Sequence, residues 1–267
     1  KTTHKDEGNK QSMTAAITGA TSGIGKAFAE RLAHDQYNLL LTARNQQSLD
    51  ELATTLRDKT GVAVEVLAAD LSTAAGRSTV CDRFHQGPSP DVLVNNAGFG
   101  LPGRFMEQSA MDHRAMVAVH VDATTELTHA ALPAMLSQGR GVIINVASLA
   151  AHIPLPGSST YCATKSYIVR FTQALAAEVS AKGVALQALC PGLTRTDFHD
   201  RMQDDRISRK SKGLLRWMSA EKVVDAGLRH LGRANAVYVP GFSNRLSLLL
   251  FRLIPAGLFA RISRRVA

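Results

Sequence analysis

Between residues 14 and 239, short β-rich runs alternate with longer stretches of helical periodicity. The strand candidates are 14–18, 38–42, 63–68, 92–95, 141–147, 185–189 and 236–239. Helical patterns occupy 25–34, 47–59, 73–85, 111–136, 160–182 and 220–231. Parallel strands need long crossovers, and helical crossovers cover both faces of the sheet they build. The alternation therefore predicts an α/β fold, a Rossmann-type doubly wound parallel sheet of about seven strands in one domain over 13–241. A chain of 267 residues, 45% hydrophobic, has the material for one such core.

Three segments stand outside the rhythm. Residues 1–12 are polar, lack the apolar stretch of a secretory signal and read as a disordered or appended extension before Met13. Residues 193–219 are long, charged and irregular, as expected of a mobile substrate lid. Residues 242–267 form a basic-aliphatic tail with five arginines and no acid. Leu246, Leu249, Leu250, Leu253 and Ile254 can share one helical face there, before Pro255 and Gly257. The favoured reading folds those aliphatics back onto the domain or a neighbouring subunit; the sharper one lays the tail on an anionic membrane surface.

The net charge of +9 sits wholly in residues 195–267, with 15 Lys+Arg against 6 Asp+Glu; the preceding stretch carries 16 of each. Those basic residues lie among aliphatics, without a stacking platform or helix-turn-helix pattern, so no nucleic-acid partner is expected. Three distant cysteines, Cys81, Cys162 and Cys190, suit neither a disulfide framework nor a zinc site, and the nine histidines lack ligand spacing. A cytoplasmic setting without a metal is the expectation.

The first strand runs into "TGATSGIGKAF". Gly19, Gly23 and Gly25 permit a tight turn, close backbone approach to a ligand and close packing of helix on strand. With Thr21, Ser22 and Ile24 they form a candidate pyrophosphate cradle at a helix N-terminus. The second strand ends in Ala43-Arg44 rather than an acid. A guanidinium there suits a 2′-phosphate, favouring NADP(H) over NAD(H); a merely solvated arginine is the plain alternative. After the third strand, Asp70 can accept from an adenine amino group or cap the next helix, with Leu71 beside it.

Tyr161 and Lys165 stand one helical turn apart, on one face. Alone, that pair says little. In order along the chain, however, come the glycine turn, "NNAG" at 95–98, Ser148, Tyr161-x-x-x-Lys165 and "PGLTRT" at 191–196. Together these motifs resemble the short-chain dehydrogenase/reductase family, over about residues 14–241. Within it, "VYVPG" followed by "SNRL" is similar to the branch of acyl-chain and hydroxysteroid reductases.

The resemblance implies hydride transfer between a nicotinamide cofactor and a carbonyl or secondary alcohol. It gives Tyr161 the acid/base role, Lys165 the task of lowering the phenol's pKa and holding ribose hydroxyls, and Ser148 the substrate oxygen. A phenol near pKa 10 is a poor base at neutral pH, and a two-unit shift takes about 2.7 kcal/mol. Asn96, Ala97 and Gly98 would line the adenosine side, and Pro191, Gly192, Thr194 and Thr196 the carboxamide and phosphates. Where the family usually carries a relay asparagine, this chain has His120, which either replaces the amide or simply packs. Cys162 is expected to point away from the reacting face. "SLAAHIPLPGSS", with Phe198 and Met202, suggests an apolar pocket. The long helices near 111 and 160 resemble those that pair subunits in this family, so a homodimer or homotetramer is expected. A catalytically idle dinucleotide-binding sensor or scaffold is the alternative to the enzyme.

Overall fold

The computed structural model describes residues 13–196 and 216–253. In chain order the strands are β1 Thr14–Thr18, β2 Asn38–Ala43, β3 Val64–Ala68, β4 Val92–Asn95, β5 Gly141–Val146, β6 Val184–Leu189, β7 Thr194–Arg195, β8 Met218–Ser219 and β9 Val237–Tyr238. Seven of them form one parallel sheet in the order β3-β2-β1-β4-β5-β6-β9, and β7 pairs with β8 separately. The helices are α1 Gly23–His34, α2 Gln46–Thr60, α3 Ala74–Gln86, α4 Ala110–Val117, α5 Ala123–Gln138, α6 Ser159–Val179, α7 Ala220–His230 and α8 Phe242–Leu253. The strand order reverses between β1 and β4, which opens a crevice at the carboxyl edge.

The strands are apolar on both faces because both faces are covered. Ala15, Ile17, Leu39 and Leu41 pack with Phe28, Leu49, Leu56 and Val224 of α1, α2 and α7. The intervening Ala16 and Leu40 pack with Phe84, Leu127, Met135 and Val179 of α3, α5 and α6. A smaller cluster, with Leu149, Ile153, Ile168 and Cys190, fills the space beneath the 3-10 turn at Leu149–His152.

Element ends match the sequence pattern within one or two residues, as cap chemistry predicts. Asn45 accepts from the Ser48 N–H at the start of α2, and Gly61 closes it with φ 73. Thr73 caps α3 by accepting from the Gly76 N–H at 3.0 Å. That corrects the capping alternative for Asp70, whose carboxylate instead accepts from Ser72 N–H and Oγ–H in a short Asx turn.

Two features differ from the sequence pattern. The long helix expected over 111–136 is interrupted by a π-helical turn at Ala118–Asp122, which contains His120. The tail leucines also fold back onto this domain only in part, with Leu248 buried and Leu246 half-buried. Helix α8 docks through Asn244, Ser247 and Leu248, leaving Phe242, Leu249, Leu250 and Leu253 at 75%, 56%, 44% and 71% exposed. Asn244 decides the orientation: its amide donates to the Pro240 carbonyl at 2.8 Å and fills the space over Gly192. Ile254, Phe198, Met202 and the interior of the expected lid lie outside the described residues. Among the described residues, no helix is long and apolar enough to cross a membrane.

Candidate active site

Every described candidate lies at the carboxyl ends of the strands. Gly19 (φ 65) and Gly23 (φ 54) take backbone conformations that favour glycine, and a Cβ on Gly25 would stand 2.2 Å from the Gly19 carbonyl oxygen. The Asn96 amide braces this turn from β4, donating to the Thr18 and Gly19 carbonyls at 2.9 and 3.1 Å. The Thr18 hydroxyl accepts from the Asn96 and Ala97 N–H groups. Asn96 thus spends its amide on shaping the turn, a task its sequence position alone did not announce. Ser22, the N-cap of α1, makes no side-chain cap bond. The first-turn N–H groups of α1 therefore receive no bond from the cap side chain, which fits an anionic pyrophosphate at this end.

Around the glycine turn, Thr196 lies over Gly23, its Cγ2 3.0 Å from where a Cβ would be. The 191–196 segment thus returns to the cradle, with Pro191 and Thr194 buried and Thr194 Oγ1 donating to the Gly192 carbonyl. Arg44 is exposed at the end of β2, and its charge helps hold the Asp70 carboxyl below the usual range, after the Ser72 backbone bond. Leu71 is buried next to it.

The reacting residues come from β5 and α6. Ser148 follows β5 and caps the 3-10 turn by accepting from the Ala150 N–H at 3.1 Å. Its side chain also hydrogen-bonds the phenol of Tyr161, in the first turn of α6. Lys165 is 4% exposed, donates to the Val146 carbonyl at 2.8 Å and stands 5.8 Å from the Tyr161 ring centroid. Burial pushes Tyr161 up to about 12, with Ser148 working against it, and pushes Lys165 down to about 8. Burial of the phenol thus works against the lowering expected from Lys165, whose ammonium burial itself makes easier to deprotonate.

His120 is fully buried. Its Nε2 accepts the Phe99 N–H at 3.1 Å, so the ring proton belongs on Nδ1, 2.8 Å from Thr164 Oγ1. Thr164 passes its own hydroxyl proton to the Tyr161 carbonyl. The imidazole meets the Tyr161 ring edge-on at 5.7 Å, and its Nε2 lies 2.8 Å from where a Cβ on Gly98 would be. Burial first, then the Lys165 charge, hold it neutral, far below its ordinary value. Both nitrogens are engaged, and the ring ties the 96–99 loop to α6.

Thr164, Phe99 and Cys190 belong to this neighbourhood but escaped the sequence reading. Cys190, fully buried after β6, faces Lys165, and burial pushes its thiol up to about 12. Only Thr164 had a visible signal, a hydroxyl immediately before Lys165. Cys162 is buried with its thiol raised by burial, unsuited to attack. Among the described residues, no group of His, Cys, Asp and Glu is placed to hold a metal ion.

This arrangement suits proton delivery to a carbonyl oxygen beside a bound dinucleotide, and the chain as a whole is similar to known proteins. A family model for short chain dehydrogenase matches residues 13–207. The chain is 31% identical over 229 residues to 17-beta-hydroxysteroid dehydrogenase type 3 of Danio rerio, covering 84% of this chain and 71% of that protein. It is 30% identical to the very-long-chain 3-oxoacyl-CoA reductase of Mus musculus, covering 82% and 68%. A short-chain dehydrogenase from Sphingobium yanoikuyae in complex with NADPH superposes with TM-score 0.81 at 34% identity, over 91% of this chain and 97% of that one. The bulky-bulky ketone specific alcohol dehydrogenase from Comamonas testosteroni gives 0.77 at 32% identity, over 91% and 95%. The chain belongs to the short-chain dehydrogenase family, in its acyl-chain and hydroxysteroid branch, and is an oxidoreductase of CH–OH and C=O groups that uses a nicotinamide cofactor.

Proposed function

We propose that this chain is an NADP(H)-dependent reductase of bulky apolar ketones in which Tyr161 delivers the proton. The observation that carries this is the Ser148–Tyr161 contact beside buried Lys165, with the phenol raised to about 12. Such a phenol stays protonated at neutral pH, and an alkoxide is a far stronger base than a phenolate, so transfer to a newly reduced oxygen runs downhill. The Ser148 hydroxyl hydrogen-bonds that oxygen as charge develops on it. When bound, the nicotinamide supplies the hydride. The α1 end with Gly19, Thr21, Ser22, Gly23, Ile24 and Gly25 would hold its pyrophosphate, and Arg44 the 2′-phosphate. Asp70, Leu71, Asn96, Ala97 and Gly98 would hold the adenosine side. Lys165 would take the ribose hydroxyls, and Pro191, Gly192, Thr194 and Thr196 the carboxamide end. His120 acts as a positioning residue, because a neutral ring with both nitrogens bonded neither takes nor gives a proton without breaking a contact.

The apolar substrate is supported by the lipid-like and bulky substrates in the names of the relatives. A homodimer or homotetramer in the cytoplasm is part of the same reading, supported by the exposed Phe105, Met106, Met111, Val117 and Tyr167 on and around α4 and α6. NADPH consumption with a panel of aliphatic, aryl and steroidal ketones tests it. Turnover of apolar ketones with NADPH preferred over NADH is the expected result, and binding of NADPH without turnover of any of them would make the chain a sensor.

A further inference from the structure

At the β9 edge of the sheet, a cleft of about 760 Å3 opens between α6, α7 and α8. Among the described residues four arginines line it: Arg170 from α6, Arg229 from α7, Arg233 from the turn beyond, and Arg245 from α8. No aspartate or glutamate among the described residues lines it. Arg31, Arg77, Arg83 and Arg140 all sit in ion pairs, whereas none of these four does among the described residues. Arg170 has only the neutral Gln173 amide, at 3.1 Å. In the lining His230 stacks on Tyr238 with centroids 4.0 Å apart, and its Nε2 is buried without a hydrogen-bond partner among the described residues. An orphaned buried nitrogen is costly and calls for an occupant.

We infer that this edge cleft binds a phosphate-bearing anion. Guanidinium forks match phosphate oxygens in pairs, and four like charges around one hollow repel each other until an anion offsets them. Buried Val169, Val239 and Leu248 give the hollow an apolar wall for the organic part of a phosphoester. The chain's own continuation does not complement it, since residues 254–267 add Arg261, Arg264 and Arg265 and no acid. A second copy meeting the same face would bring four more arginines. The cofactor's 2′-phosphate is not the occupant either: Arg44 ends β2, five strand spacings from β9, roughly 24 Å away. The phosphate has two conceivable sources, a soluble phosphoester or a lipid headgroup. The outward stripe of Phe242, Leu249, Leu250 and Leu253 on α8 makes the second worth an arm of its own.

Titration calorimetry on NADPH-saturated protein, with inorganic pyrophosphate as probe, tests the soluble source. Co-sedimentation with vesicles of phosphatidylglycerol in phosphatidylcholine, against phosphatidylcholine alone, tests the lipid source. The comparison variant is R229Q/R233Q, whose exposed side chains hold no part of the fold; its melting temperature and NADPH affinity serve as controls. Binding of either probe that weakens at least tenfold in the variant supports the inference and names the source. Binding of neither probe, equal binding by parent and variant, or pyrophosphate binding seen only without NADPH overturns it. None of these readouts depends on turnover, so the cleft and the proposed reaction fail separately.

Discussion

On β1, β2 and β3 the buried side chains are aliphatic apart from Thr18 and Thr42, whereas amides and hydroxyls cross the interior beneath β4, β5 and α6. There Asn95 Nδ2 donates to Thr128 Oγ1 and to Asn145 Oδ1, Asn145 Nδ2 donates to Thr172 Oγ1, and Thr172 donates to the Ile168 carbonyl. Aliphatic packing tolerates small displacements at graded cost, while a buried polar chain is either satisfied or expensive. The flank of the glycine turn can give a little. The flank of Ser148 and α6 is held in register by directional bonds, and Lys165, bonded to Val146 on the same strand, inherits that register. The contrast teaches that stability and catalysis are coupled on one side of the sheet and separable on the other.

The largest expected effect sharpens the reading of the polar flank. Tyr161→Phe should lower kcat by about 10² or more while leaving NADPH affinity nearly unchanged; stopped-flow and fluorescence titration read the two quantities. Near-normal turnover would remove the phenol from the reaction. Next comes a matched pair across the sheet. Leu41→Ala should cost about 2–5 kcal/mol of stability with kcat per folded molecule retained. Asn145→Leu should cost about 2–3 kcal/mol, by orphaning Asn95 and Thr172, and should lower kcat as well. Denaturant titration with active-site counting checks both, and a purely structural loss for Asn145→Leu breaks the comparison.

The pH dependence follows from burial. Lys165 titrates at about 8 in the fold against 10.5 ordinarily, so between those values the unfolded chain holds a proton that the fold has shed. Stability contributed by this site therefore rises with pH across that window, and its full penalty applies below it. Lys165→Met removes the penalty. The variant's advantage over the parent should shrink by about 2 kcal/mol from pH 7.5 to 9.5, read by urea midpoints. A constant gap would mean the ammonium stays charged in the fold.

Smaller effects test positioning. His120→Leu should lower kcat about tenfold by freeing the Phe99 N–H and Thr164, His120→Asn should recover much of it, and the shape of the pH profile should not change. A lost titration step in the profile would restore a relay role to the imidazole. Smallest is Arg44→Ala, expected to narrow the NADPH over NADH preference about fivefold to tenfold at low salt and less at high salt. Equal affinities in the parent would leave Arg44 a solvated surface residue.

The strands and helices were legible because the apolar runs and caps are local. Asn45, Ser109 and Ser219 each stand at a helix start and accept the bond that position predicts, whereas α3 is capped by Thr73 rather than by Asp70. Tyr161 and Lys165 were legible as one helical turn, and Gly25 as a close approach. What stayed hidden depends on three-dimensional company. The Phe99 N–H reaches His120 across 21 positions and Asn95 reaches Asn145 across 50, so neither pairing leaves a local trace. The depth of the phenol, which opposes the lowering that one helical turn suggests, is likewise invisible in the local sequence. Helix α8 was legible only in part for the same reason: its leucine stripe is the stronger pattern, yet Asn244 beside Gly192 shares the docking face with Leu248.

The short pairing of β7 with β8 matters for how much the length of the chain between them can vary. Thr194 aligns with Met218 and Arg195 with Ser219, so both mouths of the intervening stretch are clamped one strand spacing apart. Closing a longer excursion over such a clamp costs only about 0.6 kcal/mol per doubling of length. A change of length between the two clamped ends is therefore cheap in chain entropy, and Ser148, Tyr161 and Lys165 all lie outside that stretch of sequence.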